Sequence, residues 1–466
     1  MTKTKIIIQN NKLAVLVGAL MFSWSLIFAN TYGYSFYWDD LHFIRAYSLG
    51  ELISVFYGPN DPDQIETPAL RPVATLLFCL QGTVFGEIMV LQRLFMAVLM
   101  AGLLFTVGTL LRELNLSFYH VAVVLVLFVC SRIFASLMLW ITLGSLVLCY
   151  IFILLAALFY VRWVERHGSD HLLAFSSGFA ILAVFTREEA YTLPVVLPLL
   201  WLISTRDLSP IKRPKTLRRA AVASLGIASI MVIHFLLRWF FVPDAPTLNL
   251  SLKNVLPSIQ SAWLPGGLQS IGQSDHLIKL LWGGFIIVLV LVFLCVGCRR
   301  RIVQFLLVCV VGFIWVTPAL GVPRSFGIAL PSLAFFTAIS IAVLEVGQRA
   351  AQRENNQRFW PNVISSMLLL GLVLGALSGL RRSTYVAEAL HENSATRAIR
   401  DGQFVFEFFG KPATIPVGRR EAKVAQLARS GVQSKRDIVE LAKDIGSFIK
   451  TRKTTLFLEK YDYLSF

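Results

Sequence analysis

The stretch IMVLQRLFMAVLMAGLLFTVGTLL, residues 88–111, decides the class of this protein. At 1.5 Å per residue, a helix of this length crosses the roughly 30 Å of hydrocarbon in a bilayer. Arg93 is the one charged residue in the stretch. An ionisable group in such a helix is costly and usually functional, so Arg93 enters the set of candidate site residues.

The composition of the whole chain agrees with a membrane location. Of 466 residues, 56% are hydrophobic and only 15% are charged, and the mean hydropathy is +0.68. These values leave little of the chain for a soluble core and indicate a polytopic membrane protein. The net charge of +16 falls mainly in alternate loops and in the tail, so topology explains it and we expect no nucleic-acid partner.

Other apolar runs predict an all-α protein with about eleven transmembrane helices. Residues 72–86 are apolar but short, and we expect a helix lying at the outer interface; a crossing there would make the count about twelve. The predicted spans are residues 13–31, 88–111, 119–140, 143–161, 171–186, 190–204, 220–241, 277–298, 302–322, 326–346 and 361–380.

Lys and Arg residues mark every second loop as cytoplasmic, which places the amino terminus inside and the carboxyl terminus outside. Residues 1–380 then form the membrane domain, with outer loops at 32–71 and 242–275. Residues 381–466 are polar and predict a small extracytoplasmic α+β domain. Either a plain connector or a cap over a site fits the loop 242–275.

Two adjacent acids, Asp39 and Asp40, follow the first span in the sequence YWDDLHF, residues 37–43. Like charges this close raise the pKa of one carboxylate, which favours a general base. An ordinary hydrated loop with two acids is the alternative.

Six arginines fall outside the cytoplasmic set, near the outer ends of their segments. A guanidinium is always charged and its planar fork fits phosphate oxygens, so the set indicates a site for a phosphorylated lipid headgroup. Individual members are equally explained by contacts with ordinary phospholipids. The six are Arg71, Arg93, Arg132, Arg187, Arg238 and Arg324.

The segment FTREEA, residues 185–190, places three consecutive charges between two short apolar runs. At about 3 kcal/mol for each charge in the bilayer centre, the segment must turn or line a polar pocket. Glu188 and Glu189 either support this pocket or neutralise Arg187.

Four motifs in order resemble the C-type glycosyltransferase superfamily, especially the branch of the protein O-mannosyltransferases. They are WDD at residues 38–40, LRPV at 70–73, TREEAYTLP at 186–194 and VPRSF at 322–326. The resemblance covers roughly residues 13–380.

The resemblance implies a polyprenyl-phosphate-linked sugar as donor, an acceptor protein, lipid or glycan, and an inverting displacement. It assigns the base to Asp39 or Asp40 and the donor phosphate to Arg187 and Arg324. From the set of six arginines we add Arg71 to the expected phosphate-binding residues. Two positions depart from the usual pattern: Arg187 replaces a lysine, and Ser325 replaces a tyrosine.

The resemblance also implies a location in the bacterial cytoplasmic membrane, among membrane lipids, with the site on the extracytoplasmic face. We expect no cofactor; the sequence leaves a requirement for a divalent metal open. The main alternative is a transporter or flippase of a lipid-linked sugar or other anionic lipid, and a non-catalytic assembly subunit is another. Charges gathered at one face, without a clear internal repeat, favour the transferase.

Overall fold

The computed structural model describes residues 3–33, 40–60, 69–86, 88–165, 170–204, 213–242 and 329–352, with residues 380, 383, 384 and 387. Within these residues the fold is helical and has no strand. The predicted outer loop 242–275, apart from its first residue, and the predicted domain 381–466, apart from three helical residues, lie outside the described part.

Twelve α-helices are described, and short 3-10 turns precede or separate several of them. The turns cover Ala29–Gly33, Ile141–Leu143 and Glu188–Thr192. The helices are α1 (Lys3–Ile27), α2 (Asp40–Phe43), α3 (Leu49–Ser54), α4 (Pro72–Val84), α5 (Met89–Glu113), α6 (Phe118–Val129), α7 (Arg132–Leu139), α8 (Gly144–Glu165), α9 (Asp170–Thr186), α10 (Leu193–Ser204), α11 (Arg213–Phe241) and α12 (Ala329–Gln352).

Three described segments are long and apolar enough to cross a membrane: Met89–Glu113, Ile141–Val164 and Leu217–Phe241. The last of these exposes a row of apolar side chains, including Val222, Leu225 and Leu236. An exposed apolar face of this kind suits contact with lipid tails. The described part is therefore helical and has several helices that could span a membrane, which agrees with the composition.

The predicted span 119–140 is broken in the structure. Helices α6 and α7 meet at Cys130 and Ser131 and are bent by 64° relative to each other. The Ser131 hydroxyl accepts a hydrogen bond from the Phe134 N–H at 3.2 Å, which caps the new helix. A serine cap within an apolar run thus starts a second helix in a new direction.

Within residues 72–86, where an interfacial helix is predicted, the structure has helix α4, with Pro72 at its first position. Proline fits there because its missing N–H has no helical partner to lose. At 13 residues, α4 is about 20 Å long, shorter than the hydrocarbon layer.

Gly82 of α4 lies against the backbone of Arg45: a Cβ at Gly82 would come within 2.5 Å of the Arg45 Cα.

Helix α8 lies at the centre of the described bundle and packs mainly against α9 and α5. Both α9 and α10 are short, and they meet at the 3-10 turn Glu188–Thr192. This arrangement confirms the turn that the charges of residues 187–189 predict. It brings the turn beside the first residues of α8.

Candidate functional site

Glu188 joins two of the predicted site arginines. Arg71 precedes α4, Arg238 lies near the end of α11, and Glu188 begins the turn between α9 and α10. The Arg71 Nε and Nη2 donate to Glu188 Oε2 at 2.9 and 2.6 Å. The Arg238 Nε lies 3.7 Å from Glu188 Oε1. One carboxylate therefore holds together three elements that are distant in sequence.

Arg187 forms a second ion pair beside the first. Its Nε donates to Glu189 Oε2 at 3.2 Å, and its Nη1 lies 3.5 Å from the Ser145 Oγ at the start of α8. Arg187 is 7% exposed and Glu189 is 5% exposed. Both charges are thus inside the protein, where an unpaired charge would be expensive.

The pKa values of Glu188 and Arg187 both favour the charged form of the side chain. Burial alone raises the pKa of Glu188, but the positive charges of Arg71 and Arg238 outweigh it and lower the pKa to about 2. Burial lowers the pKa of Arg187, but Glu189 and Glu188 outweigh that effect and raise the pKa above its ordinary value. Three arginines and two glutamates leave one excess positive charge in a low-dielectric setting.

His234 and Tyr191 connect the cluster to the chain just before Arg71. The His234 Nε2 lies 3.3 Å from the Leu70 carbonyl oxygen, which only accepts, so Nε2 carries the proton. The Tyr191 hydroxyl then donates to the other ring nitrogen, Nδ1, at 2.7 Å. The edge of the buried imidazole also meets the Phe185 ring. This neutral histidine fixes the position of Leu70 and, through it, of Arg71.

Asp40 lies in a second buried polar region. It is the first residue of α2, is fully buried, and accepts the backbone N–H of Thr142 at 2.8 Å. Arg93 is 2% exposed and donates to the Leu139 carbonyl oxygen. The Asp40 charge is close enough to stabilise the Arg93 guanidinium. The acid of the first outer loop and the arginine of α5 are therefore neighbours.

A short series of contacts links the two regions. Asp40 accepts from the Thr142 N–H, and the Ser145 hydroxyl donates to the Thr142 carbonyl oxygen at 2.9 Å. Ser145 in turn contacts Arg187. The first turn of α8 thus lies between the predicted acid and the predicted phosphate-binding arginine, and all of these groups are at one end of the described bundle.

The structure brings together most of the predicted site residues that it describes. Arg71, Arg187, Arg238 and Glu188 form one cluster, and Asp40 and Arg93 form the adjoining region. Asp39 and Arg324 lie outside the described residues, and so does the side chain of Arg132, whose backbone begins α7.

Several members of the site were not anticipated from the sequence. Thr142 acts through its backbone N–H, which no side-chain pattern reveals. Ser145 and His234 are isolated polar residues in apolar helices, and such residues are common in any helix core. Among the described residues, no group of three or more His, Cys, Asp or Glu is arranged to hold a metal ion.

The comparisons with known proteins do not add a relative. No family model matches this chain, and no curated protein matches it either.

Proposed function

We propose that this protein is a membrane glycosyltransferase that moves a monosaccharide from a polyprenyl-phosphate carrier to an acceptor on the extracytoplasmic face. The acceptor is a hydroxyl or amide group of a protein, lipid or glycan. The observation that carries this proposal is the link from Asp40 through the first turn of α8 to Arg187. It joins an acid and a cluster of arginines within an apolar helical bundle.

The chemistry needs both parts. The acceptor oxygen or nitrogen attacks the anomeric carbon, its proton passes to an aspartate, and the bond from that carbon to the phosphate oxygen breaks. The polyprenyl phosphate leaves with the negative charge, and fixed guanidinium groups lower the barrier by stabilising that charge as it develops. A single displacement of this kind inverts the configuration of the sugar.

Arg71 is the described arginine best suited to contact the phosphate. Its side chain is 20% exposed, whereas that of Arg238 is 11% exposed. A guanidinium has five N–H donors, and the contacts with Glu188 use two of those of Arg71. Glu188 then orients Arg71, and Arg187, Arg238 and Arg324 add positive charge around the leaving group.

The burial of Asp40 supports a division of roles between the two aspartates. A carboxylate held by the Thr142 N–H beside Arg93 is well placed to fix the loop and poorly placed to reach an acceptor in solvent. We therefore assign the base to Asp39 and a positioning role to Asp40.

The test compares two single substitutions, Asp39→Asn and Asp40→Asn, in the full-length protein reconstituted into lipid. Sugar transfer and binding of a polyprenyl phosphate are measured separately. We expect Asp39→Asn to abolish transfer while binding persists, and Asp40→Asn to lower transfer with some loss of stability. Asp170→Asn, an exposed acid at the start of α9, is the matched control. Wild-type transfer by Asp39→Asn refutes the assignment of the base, whatever Asp40→Asn does.

The break between α6 and α7 favours one other candidate, a flippase for a lipid-linked sugar. Discontinuous helices and buried ionisable residues are both typical of transporters. The two functions differ in their products. A flippase moves a labelled lipid-linked sugar between leaflets of a proteoliposome without cutting it, whereas the transferase releases polyprenyl phosphate.

The same proposal includes the full transmembrane architecture predicted from the sequence. It has about eleven spans, an inner amino terminus, and an extracytoplasmic α+β domain at residues 381–466. The protein is then an integral protein of the bacterial cytoplasmic membrane that works among membrane lipids.

A further inference from the structure

An apolar cavity lies beside the ion cluster and is not used by the proposed reaction. It is lined by the carboxyl-terminal half of α5, the middle of α8, the turn Glu188–Thr192 with α10, and the start of α12. Its volume is about 90 Å³, whereas a single water needs about 15 Å³ by the same measure. The cavity therefore has room for a group larger than one water molecule.

The lining of the cavity follows the chain from the turn Glu188–Thr192 into α10. Glu189, Thr192 and Leu200 all belong to it. From Thr192 to Leu200, α10 advances about 12 Å. Apart from a few hydroxyls and Glu189, the lining is aliphatic. Apolar cavities of this kind are dry and take apolar ligands, so the shape favours an alkyl chain.

Glu189 supplies the polar feature of the site. Its Oε2 accepts from Arg187, but its Oε1 is buried and has no hydrogen-bond partner among the described residues. A buried carboxylate oxygen without a donor is costly, and a ligand that supplies one recovers part of that cost. Arg187 lies on the Oε2 side of this carboxylate, so an anionic head at Oε1 would meet a like charge first and would supply no donor to it.

We propose that this cavity binds the chain of an amphiphile whose head is a hydrogen-bond donor, either a hydroxyl or an amine. The head bonds to Glu189 Oε1, and the chain extends along α10 between α5, α8 and α12. The site is therefore distinct from a phosphate site, which needs the opposite charge. This inference rests on the cavity alone and does not depend on the proposed sugar transfer.

The test is photolabelling of the full-length protein in lipid nanodiscs. Three probes share the same long alkyl chain, which carries a diazirine. They differ only in the head group, which is a hydroxyl, an amine or a phosphate. Labelled peptides are identified by mass spectrometry. We expect the alcohol and the amine to label the lining of α8, α10 and α12, with competition by unlabelled fatty alcohol. We expect the phosphate probe to label these helices about tenfold less than the alcohol does, which corresponds to a difference of about 1.4 kcal/mol in binding free energy.

Substitutions distinguish labelling inside the cavity from labelling at the lipid-facing surface of the helices. Ala334→Phe fills the cavity from α12, and Ala157→Phe fills it from α8, so either one is expected to remove the competed labelling. Ala221→Phe, at an exposed position of α11, is the matched control and leaves labelling unchanged. Glu189→Gln removes the negative charge and is expected to let the phosphate probe label as strongly as the alcohol.

Two results overturn the inference. One is labelling by the alcohol that neither competition nor the filled variants reduce. The other is equal labelling of the wild-type protein by the alcohol and the phosphate. Competition is measured on the wild-type protein, so it decides the question even where a filled variant does not fold. Sugar transfer is assayed separately, and its failure leaves the labelling result intact.

Discussion

At the scale of single residues, Glu188 has the largest influence on the described site. It bonds to Arg71, which is 117 positions away in sequence, and it lies beside Arg238. Removing one partner of a buried ion pair leaves the other charges uncompensated, which typically costs 3–5 kcal/mol. Glu188 therefore controls both the stability of this end of the bundle and the orientation of Arg71.

The lowered pKa of Glu188 gives the folding stability a defined dependence on pH. In the folded protein the pKa is about 2, whereas the ordinary value is 4.5. Because the folded pKa is lowered, the stabilisation is complete above pH 4.5 and is lost as the pH falls towards 2. We expect Glu188→Gln to lower the stability by about 3–5 kcal/mol at neutral pH, and by progressively less on acidification.

Thermal unfolding of the detergent-solubilised protein between neutral pH and pH 3 measures this effect. Glu51→Gln is the control, because Glu51 pairs with Arg45 at 2.8 Å where both side chains are about one-third exposed. An exposed pair contributes at most about 1 kcal/mol. A melting-temperature difference between wild type and Glu188→Gln that stays constant with pH contradicts the prediction.

The sequence predicted part of this residue-scale picture. Charges at residues 187–189 require neutralisation in an apolar setting. One of the two interpretations of the sequence was that the glutamates neutralise Arg187, and Glu189 does so. Glu188 instead pairs with Arg71 and Arg238. That choice depends on how α4, α9 and α11 pack, and a local charge pattern contains no information about packing over 117 positions.

At the scale of elements, the approach of α4 to the chain at Arg45 depends on one glycine. A Cβ at Gly82 would lie within 2.5 Å of the Cα and carbonyl oxygen of Arg45, which are backbone atoms and cannot rotate away. The first outer segment, which carries Asp40, is thereby seated close to α4. Any side chain at position 82 must push these elements apart.

We expect Gly82→Ala to destabilise the protein by about 1–3 kcal/mol through overpacking, despite the better helix propensity of alanine. Gly178→Ala in α9 is the matched control, because a Cβ there has nothing within 4 Å. It should instead stabilise by about 0.5–1 kcal/mol. Chemical or thermal unfolding measures both variants, and equal effects of the two substitutions disprove the close approach.

Element positions were predictable where length and hydropathy decide them. Helices α5, α8 and α11 correspond to predicted spans, because a long apolar run has few alternatives in a membrane protein. The break between α6 and α7 was not predicted, because the run 119–140 is mostly apolar and the predicted span runs through the adjacent Ser131 and Arg132 without a helix boundary. Its cause, a serine cap inside that run, is visible only once the helix directions are known.

At the scale of the whole molecule, topology is the property on which the proposed reaction depends. The acid region and the arginine cluster lie at one end of the described bundle, and the proposal places that end outside the cell. Reporter fusions at Gly168 and at the carboxyl terminus should report opposite sides, inside and outside respectively. The same side for both fusions contradicts the proposed number of crossings.

A parallel labelling experiment checks the end that carries the site. A cysteine at exposed Leu49, in the segment that follows Asp40, should react with a membrane-impermeant maleimide added to intact cells, and a cysteine at position 168 should not. Reaction only at position 168 places the site on the wrong side for a lipid-linked donor presented outside.

The hydrogen bond between Asp40 and Thr142 constrains the two positions unequally over evolutionary time. The acid is recognised by a main-chain amide, which every residue except proline provides. The hydrogen bond itself therefore excludes only proline at position 142, where the buried side chain answers to packing alone, whereas loss of the carboxylate at position 40 has no such substitute. Divergent orthologues should keep an acid at position 40 and accept other small buried side chains at position 142, a signature that pairwise covariation would overlook.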